Sequence, residues 1–173
     1  IVPGLLIGAL KFGHLPVIFI PGGPMATGIS NSKKNEARQS YAAGEIEKIE
    51  LLNIEQEAYH SEGTCTFYGT ANTNQLIAEA MGFQLPGAAF TPTDSPIRNC
   101  LNNESLRSLI RMMDAEMGLG EMLDVKNWVN AIIVLLASGG STNLVIHLIA
   151  MARSAGYIIT IEDFNDLSSM IPL

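Results

Sequence analysis

Cysteine, basic charge and long apolar runs are all scarce in this chain of 173 residues. The two cysteines, Cys65 and Cys100, lie in unlike surroundings and suggest no disulfide framework, so a reducing cytoplasm is the expected location. Ten Lys and Arg against 17 Asp and Glu give a net charge of -7, which argues against a nucleic-acid partner because phosphate binding needs clustered basic residues. The longest apolar run, residues 131–137, is far shorter than the roughly 20 residues of a membrane span, so no membrane partner is expected.

Apolar residues, in contrast, are abundant. Hydrophobic residues make up 47% of the chain and charged residues 16%, with a mean hydropathy of +0.24. This balance is apolar for a free-standing domain and predicts surface that further chain or a partner covers. The length fits one ordinary domain with a sizeable core. The first residue is Ile1 and residues 170–173 are mostly apolar, so we expect a fragment that is incomplete at both ends.

Helical patterns outnumber strand patterns along the chain. Residues 15–20 form a continuous apolar run bounded by a glycine-proline turn, which is typical of a buried parallel strand, and residues 157–161 predict another strand. The fold class predicted is therefore α/β: a helix-rich, layered α/β/α domain with a mainly parallel sheet. Apolar spacing and capping residues predict helices over residues 3–13, 31–43, 45–60, 71–81, 96–116, 128–137 and 141–155, and a short one from 162.

Cys65 lies in a glycine-punctuated loop that runs directly into a predicted helix. A single cysteine is more often a small buried residue than a ligand, but its neighbours favour a ligand. Gly63 and Gly69 allow close backbone approach, and the helix that begins near Thr70 places partly positive N–H groups beside the loop. A thiolate in such a loop can bind iron or zinc and leave one coordination position open for substrate.

Two further glycine-containing segments lie at the end of a predicted strand or at the start of a predicted helix. Gly22 and Gly23 follow the first predicted strand, where α/β sheets bind ligands, although an ordinary turn is the alternative. Ser141, Thr142 and Asn143 follow two glycines and open a helix, so they are candidates to bind an anionic substrate group. The alternative for these hydroxyls is simple capping of the helix.

Other polar residues are weaker candidates. His60 and Glu62 flank the cysteine loop and are expected to support it or to carry protons. His147 lies on an apolar helix face and Cys100 in a polar helix, so we interpret the first as a packing residue and the second as incidental. A solvated helix face is the preferred interpretation for the basic residues Lys33, Lys34 and Arg38, with a sugar phosphate as the alternative ligand.

The sequence of residues 64–74, Thr-Cys-Thr-Phe-Tyr-Gly-Thr-Ala-Asn-Thr-Asn, resembles the second cluster cysteine of the dihydroxy-acid and 6-phosphogluconate dehydratase family. Thr66-Phe67-Tyr68 is similar to the phosphogluconate branch, because the amino-acid-biosynthetic branch usually reads Gly-Gly-Met there. Gly-Gly-Pro-Met at 22–25 and Gly-Gly-Ser-Thr-Asn at 139–143 also match motifs of the family. The resemblance covers essentially the whole chain.

The resemblance implies an enzyme that removes water from 6-phospho-D-gluconate to give 2-dehydro-3-deoxy-6-phosphogluconate in the Entner–Doudoroff pathway of gluconate metabolism. It implies Cys65 as a ligand of an iron–sulfur cluster, of the 4Fe-4S or 2Fe-2S type, and a second site for Mg²⁺. Residues 1–173 would be part of the N-terminal cluster-binding domain of a homodimeric, cytoplasmic lyase. The alternatives are a dihydroxy-acid or other sugar-acid dehydratase of the same family, or a non-catalytic domain in which Cys65 is merely buried.

The resemblance also implies parts that this chain lacks. In the family a Cys-Asp-Lys motif directly precedes the segment that matches the start of this chain, and the catalytic base comes from a C-terminal domain. One thiolate cannot hold an iron–sulfur cluster, which needs three or four protein ligands. We therefore expect the fragment alone to be inactive.

Overall fold

The computed structural model describes residues 2–26, 28–59 and 61–171, and helices dominate these ranges. The described helices are α1 (Val2–Leu10), α2 (Asn31–Ala42), α3 (Lys48–Gln56), α4 (Thr70–Ala80), α5 (Pro96–Asp114), α6 (Leu119–Met122), α7 (Val125–Ala137), α8 (Asn143–Ser154) and α9 (Ile161–Ser168).

Helix α7 is the centre of the hydrophobic core. It begins where the Asp124 carboxylate accepts hydrogen bonds from the backbone N–H groups of Lys126 and Asn127, at 2.7 and 3.2 Å. Apolar residues spaced three and four apart then place one stripe against α4, α8 and α9. Burial of each large side chain of the stripe contributes about 1.5–3 kcal/mol. The buried stripe comprises Trp128, Ala131, Ile132 and Leu135.

Helix α4 packs between α7, α8 and α1, and it buries polar as well as apolar residues. Ile77 and Ala78 contribute to the core, whereas Asn72 and Thr73 are buried near the N-terminus of the helix. Since buried polar groups need hydrogen-bond partners, this end of α4 is built for specific contacts. Those contacts belong to the candidate site.

Helices α2 and α3 pack against each other away from this core. Two surface ion pairs join them: Arg38 Nε lies 2.8 Å from Glu55 Oε1, and Lys33 Nζ lies 3.7 Å from Glu57 Oε2. The side chain of Ser30 caps α2 by accepting a hydrogen bond from the backbone N–H of Lys33 at 3.2 Å. The α2–α3 pair therefore has a polar surface, and it lies beside the cysteine loop.

The two predicted strands are not confirmed among the described residues. Residues 16–20 and 157–160 are not helical, and they join no strand ladder in the described ranges. The backbone N–H of Phe19 donates to the carbonyl oxygen of Phe83 at 2.7 Å, and Ile161 begins α9 instead of ending a strand. A strand needs a neighbouring strand for its hydrogen bonds, and within the described residues the pairing is limited to one isolated parallel bridge between Pro24 and Thr64.

Most helix predictions are confirmed, with shifts at the ends. The helix predicted over residues 45–60 is shorter, since α3 begins at Lys48 and ends at Gln56. The predicted position of His60 in that helix lies outside the described residues. Within the described ranges, none of the helices is both long enough and apolar enough to cross a bilayer.

Candidate active site

The cysteine loop and the Gly22–Gly23 segment are joined by backbone hydrogen bonds. The N–H of Thr64 donates to the carbonyl oxygen of Gly23 at 2.9 Å, and the N–H of Met25 donates to the carbonyl oxygen of Thr64 at 2.9 Å. The contact between Gly23 and Thr64 connects residues that are 41 positions apart in sequence. Two segments that were predicted separately as site candidates therefore meet one residue before Cys65.

Two glycines are required at this junction because a side chain would collide with neighbouring groups. Gly23 has φ +82° and Gly63 has φ +130°, a region that L side chains rarely adopt. A Cβ atom at Gly23 would overlap the carbonyl oxygen of Thr91 and the guanidinium of Arg98, and one at Gly63 would lie 2.5 Å from the N atom of Met25. The close approach of the two segments thus depends on the glycines.

Arg98 stabilises the chain segment that packs against the junction. Its guanidinium is buried and donates hydrogen bonds to the carbonyl oxygens of Ala88, at 2.7 Å, and Thr91. Burial lowers the pKa of Arg98 because removal from water disfavours the charged form. The carbonyl oxygen that Arg98 holds at Thr91 is also the group closest to Gly23. Arg98 therefore fixes the position of the Thr91 carbonyl group that packs against Gly23.

Asn72 fixes the backbone of Cys65 while leaving its thiol exposed. The Asn72 Nδ2 group donates to the carbonyl oxygen of Cys65 at 3.0 Å, and Asn72 Oδ1 accepts from the N–H of Gly69 at 3.3 Å. Asn72 itself is only 4% exposed, so these bonds are shielded from water. Cys65 is a free, exposed cysteine, which is the state that a ligand or a nucleophile needs.

Residues 139–143 come to the same end of α4. The N–H of Ser141 donates to Thr73 Oγ1 at 3.1 Å, and Ser141 Oγ lies 3.0 Å from Thr70 Oγ1. Asn143 Nδ2 also donates to Thr70 Oγ1, at 3.1 Å. Thr142 is exposed at the N-cap position of α8 and its side chain makes no capping bond. Side-chain capping of α8, the alternative for these hydroxyls, is therefore wrong for Ser141 and Thr142 alike.

An open cleft of about 180 Å³ lies in front of Cys65. It is bounded by the first turn of α2, by the chain that follows α3 and by the cysteine loop. Sequence reasoning missed this neighbourhood, because the contact between the α2–α3 pair and the loop cannot be read from periodicity. Its lining residues are Asn31, Lys34, Ala58, Tyr59, Cys65, Thr66 and Phe67.

A larger cavity of about 490 Å³ lies beside Gly22 and Thr64. Its walls combine the apolar residues 19–21 with three buried amide residues, Asn74, Gln75 and Gln84. The side-chain oxygen of each of these amides has no hydrogen-bond partner among the described residues. Buried acceptors of this kind normally bond to a donor, so this wall is suited to contact further polypeptide or a polar ligand.

The other residues that the sequence suggested for the site make no side-chain hydrogen bond to it among the described residues. Glu62 is exposed, and its backbone carbonyl, not its carboxylate, accepts a hydrogen bond from Thr93 Oγ1 at 3.0 Å. His60 lies outside the described residues. Cys100 is exposed on α5, away from any glycine loop. In the part of the chain that the structure describes, no three His, Cys, Asp or Glu side chains come together as a metal site.

Comparison with known proteins gives the class to which this chain belongs. The model of the family described as "Dihydroxy-acid/6-phosphogluconate dehydratase N-terminal" matches residues 1–173. The chain therefore belongs to the dihydroxy-acid/6-phosphogluconate dehydratase family and corresponds to its N-terminal region.

Individual relatives show which branch of the family the chain resembles more closely. The chain is 52% identical to a phosphogluconate dehydratase of Escherichia coli strain K12, over 100% of this chain and 29% of the relative. It is 51% identical to the phosphogluconate dehydratase of Zymomonas mobilis, with the same coverage. A dihydroxy-acid dehydratase of Hydrogenobaculum is 36% identical over 99% of this chain and 32% of the relative. The chain thus spans about 29% of the length of the phosphogluconate dehydratases that it matches.

Proposed function

We propose that the full-length protein containing this chain is a phosphogluconate dehydratase of the Entner–Doudoroff pathway, with 6-phospho-D-gluconate as its substrate and 2-dehydro-3-deoxy-6-phosphogluconate as its product. The observation that carries the proposal is identity of 52% to a relative of that name across the whole chain. Thr66-Phe67-Tyr68 beside Cys65 supports this branch. The dihydroxy-acid dehydratase relative, at 36%, is more distant and gives the second candidate function.

The exposure of Cys65 supports an enzyme over a structural domain. The non-catalytic alternative required a buried cysteine, whereas Cys65 is exposed and faces the cleft. Its loop backbone is held by Asn72 and by the junction with Gly23, and the cysteine itself stays exposed. A group held in this way is suited to binding rather than to packing.

Cys65 fits an iron–sulfur cluster as one ligand of several. A thiolate is the donor that these clusters take, and the exposed loop leaves room for one. The described residues offer no set of three ligands, so we propose that the others come from sequence outside this chain. When bound, a cluster with an open iron position supplies a Lewis acid for departure of the substrate hydroxyl.

The chain's own polar groups are proposed to orient the substrate. Dehydration removes the hydroxyl at C3 and the proton at C2, next to the carboxylate. Ser141, Thr142 and Asn143 present hydroxyl and amide groups at the end of α4, and Gly22 lies at the mouth of the larger cavity. We propose that these residues contact anionic and hydroxyl groups of the substrate. The base that takes the C2 proton is proposed to lie in the C-terminal part of the enzyme.

Further features of the whole enzyme are proposed on the same basis. Residues 1–173 would be part of the N-terminal cluster-binding domain, and residues 15–20 would join a mainly parallel sheet whose other strands lie outside this chain. The absence of helix over residues 16–20 and the unpartnered amides of the adjoining cavity support that arrangement. A homodimer, a cytoplasmic location and a Mg²⁺ site that binds the substrate carboxylate complete the proposal.

A substrate comparison tests the proposed function. The full-length protein, purified without oxygen and supplied with iron and sulfide, is assayed for 2-keto acid formation from 6-phosphogluconate and from a branched 2,3-dihydroxy acid. We expect a higher kcat/KM for 6-phosphogluconate, since differential transition-state binding determines substrate choice. A higher kcat/KM for the dihydroxy acid would contradict the proposal and favour the second candidate.

A further inference from the structure

Lys34 differs from the basic residues around it. Lys33 lies 3.7 Å from a Glu57 carboxylate oxygen, and Arg38 lies 2.8 Å from a Glu55 carboxylate oxygen. Within the described ranges no carboxylate lies within ion-pair distance of Lys34 Nζ. Lys34 is half-buried, whereas Lys33 and Arg38 are exposed. Lys34 therefore differs from Lys33 and Arg38 in both its exposure and its ion pairing.

The cleft places Lys34 in the same open space as Cys65. Both residues line the cavity of about 180 Å³, together with Asn31 at the start of α2 and Thr66 in the cysteine loop. A ligand seated there would therefore lie in the space that both the lysine and Cys65 line. Among the described residues that line this cleft, Lys34 is the one with a permanent positive charge.

The charge around Lys34 favours an anion in the cleft. The first turn of α2 carries no acidic residue, although a helix N-terminus attracts negative charge and repels positive charge. An ammonium group at this end is weakly unfavourable, and a bound anion would offset that cost for Lys34 as Glu57 does for Lys33. A phosphate group suits the place better than a carboxylate, because it carries up to two negative charges and three terminal oxygens that accept hydrogen bonds.

We propose that Lys34 binds the phosphate group of the substrate in the cleft beside Cys65, and so determines specificity for a phosphorylated sugar acid. The inference rests on the proposed function and adds a residue to it. It assigns the phosphate end of the substrate to the α2 side of the cleft. Ser141 and Asn143, at the end of α4, then remain for the other polar groups of the substrate.

Calorimetric binding to the full-length protein tests this inference without depending on turnover. Titrations with 6-phosphogluconate and with gluconate are compared for the wild type, Lys34→Met, Lys34→Arg and the control Lys33→Met. Loss of one charge-assisted hydrogen bond predicts at least a tenfold weaker Kd for 6-phosphogluconate in Lys34→Met. Lys34→Arg should recover most of the affinity, Lys33→Met should change it less than twofold, and the Kd for gluconate should not change. Melting temperatures check that every variant is folded.

The possible outcomes separate this inference from the proposed function. If the wild type binds 6-phosphogluconate and Lys34→Met binds it equally well, the role of Lys34 is wrong and the proposed function stands. If Lys34→Met weakens both ligands equally, Lys34 contacts the carboxylate, and the assignment to phosphate is overturned. If the wild type binds no 6-phosphogluconate, the proposed function fails and the inference fails with it.

Discussion

Asn72 illustrates how single residues build the site. Its amide bonds to both Cys65 and Gly69, so one side chain fixes the two ends of the loop that holds the candidate ligand. The sequence indicated the importance of Cys65 through its glycines and the following helix. It did not indicate Asn72, because a polar residue in the first turn of a helix has no distinctive spacing. It also did not distinguish Lys34 from Lys33, since ion pairing between α2 and α3 requires the tertiary contact.

Substitution of Ser141 tests whether the α4 end binds substrate. In the full-length protein, Ser141→Ala should raise KM for 6-phosphogluconate and leave Tm nearly unchanged. The exposed hydroxyl pair with Thr70 contributes little to folding, so its loss should affect substrate binding and not stability. Steady-state kinetics and thermal melting provide the two measurements. Ser154→Ala, at the far end of α8, is the control and should leave KM unchanged. A loss of about 1 kcal/mol in stability with unchanged kinetics would remove Ser141 from the site.

Elements were predictable to different degrees because they differ in where their hydrogen bonds lie. The helix predicted over residues 71–81 is α4, Thr70–Ala80, and the helix predicted over 96–116 is α5, Pro96–Asp114. Helices satisfy their backbone groups internally, so spacing and caps suffice to locate them. Residues 15–20 have the composition of a strand, but strands need partners from elsewhere in the sequence. The apolar run can therefore be recognised from the sequence alone, whereas its hydrogen-bonding partners cannot.

The contact between α4 and the start of α8 is close enough to exclude a side chain at Gly140. A Cβ atom there would lie 2.6 Å from Thr73 Cγ2 and 2.7 Å from Leu135 Cδ1. Gly140→Ala should therefore destabilise the protein by about 1–3 kcal/mol, measured by denaturant unfolding. Gly8→Ala on α1 is the matched control, because nothing lies within 4 Å of its Cβ position and alanine favours a helix. Equal stability of the two variants would contradict the close contact.

At the scale of the whole molecule, the surface is rich in large apolar side chains. Ile158 is 89% exposed, Met170 78% and Phe67 77%. Soluble monomers rarely expose extended apolar patches, so such residues indicate surface that another chain or segment covers. The chain also spans about 29% of the length of its phosphogluconate dehydratase relatives. The composition and the exposed apolar side chains both indicate that this surface is covered in the full-length protein.

The behaviour of residues 1–173 expressed alone follows from this surface. We expect concentration-dependent association in analytical ultracentrifugation, binding of dyes that recognise exposed apolar groups, and no dehydration of 6-phosphogluconate after supply of iron and sulfide. The full-length protein is the control and should bind less dye per mole and be active. A monodisperse, active monomer of the 173 residues would contradict this expectation.

Replacement of Cys65 in the full-length protein tests the proposed cluster site most directly. Cys65→Ser and Cys65→Ala should lose the broad visible absorbance, most of the bound iron and the dehydratase activity, because a thiolate ligand is removed. Cys100→Ser changes the other exposed cysteine and should keep all three. Circular dichroism and Tm confirm that each variant is folded. Full iron content, visible absorbance and turnover in the Cys65 variants would show that Cys65 is not a ligand.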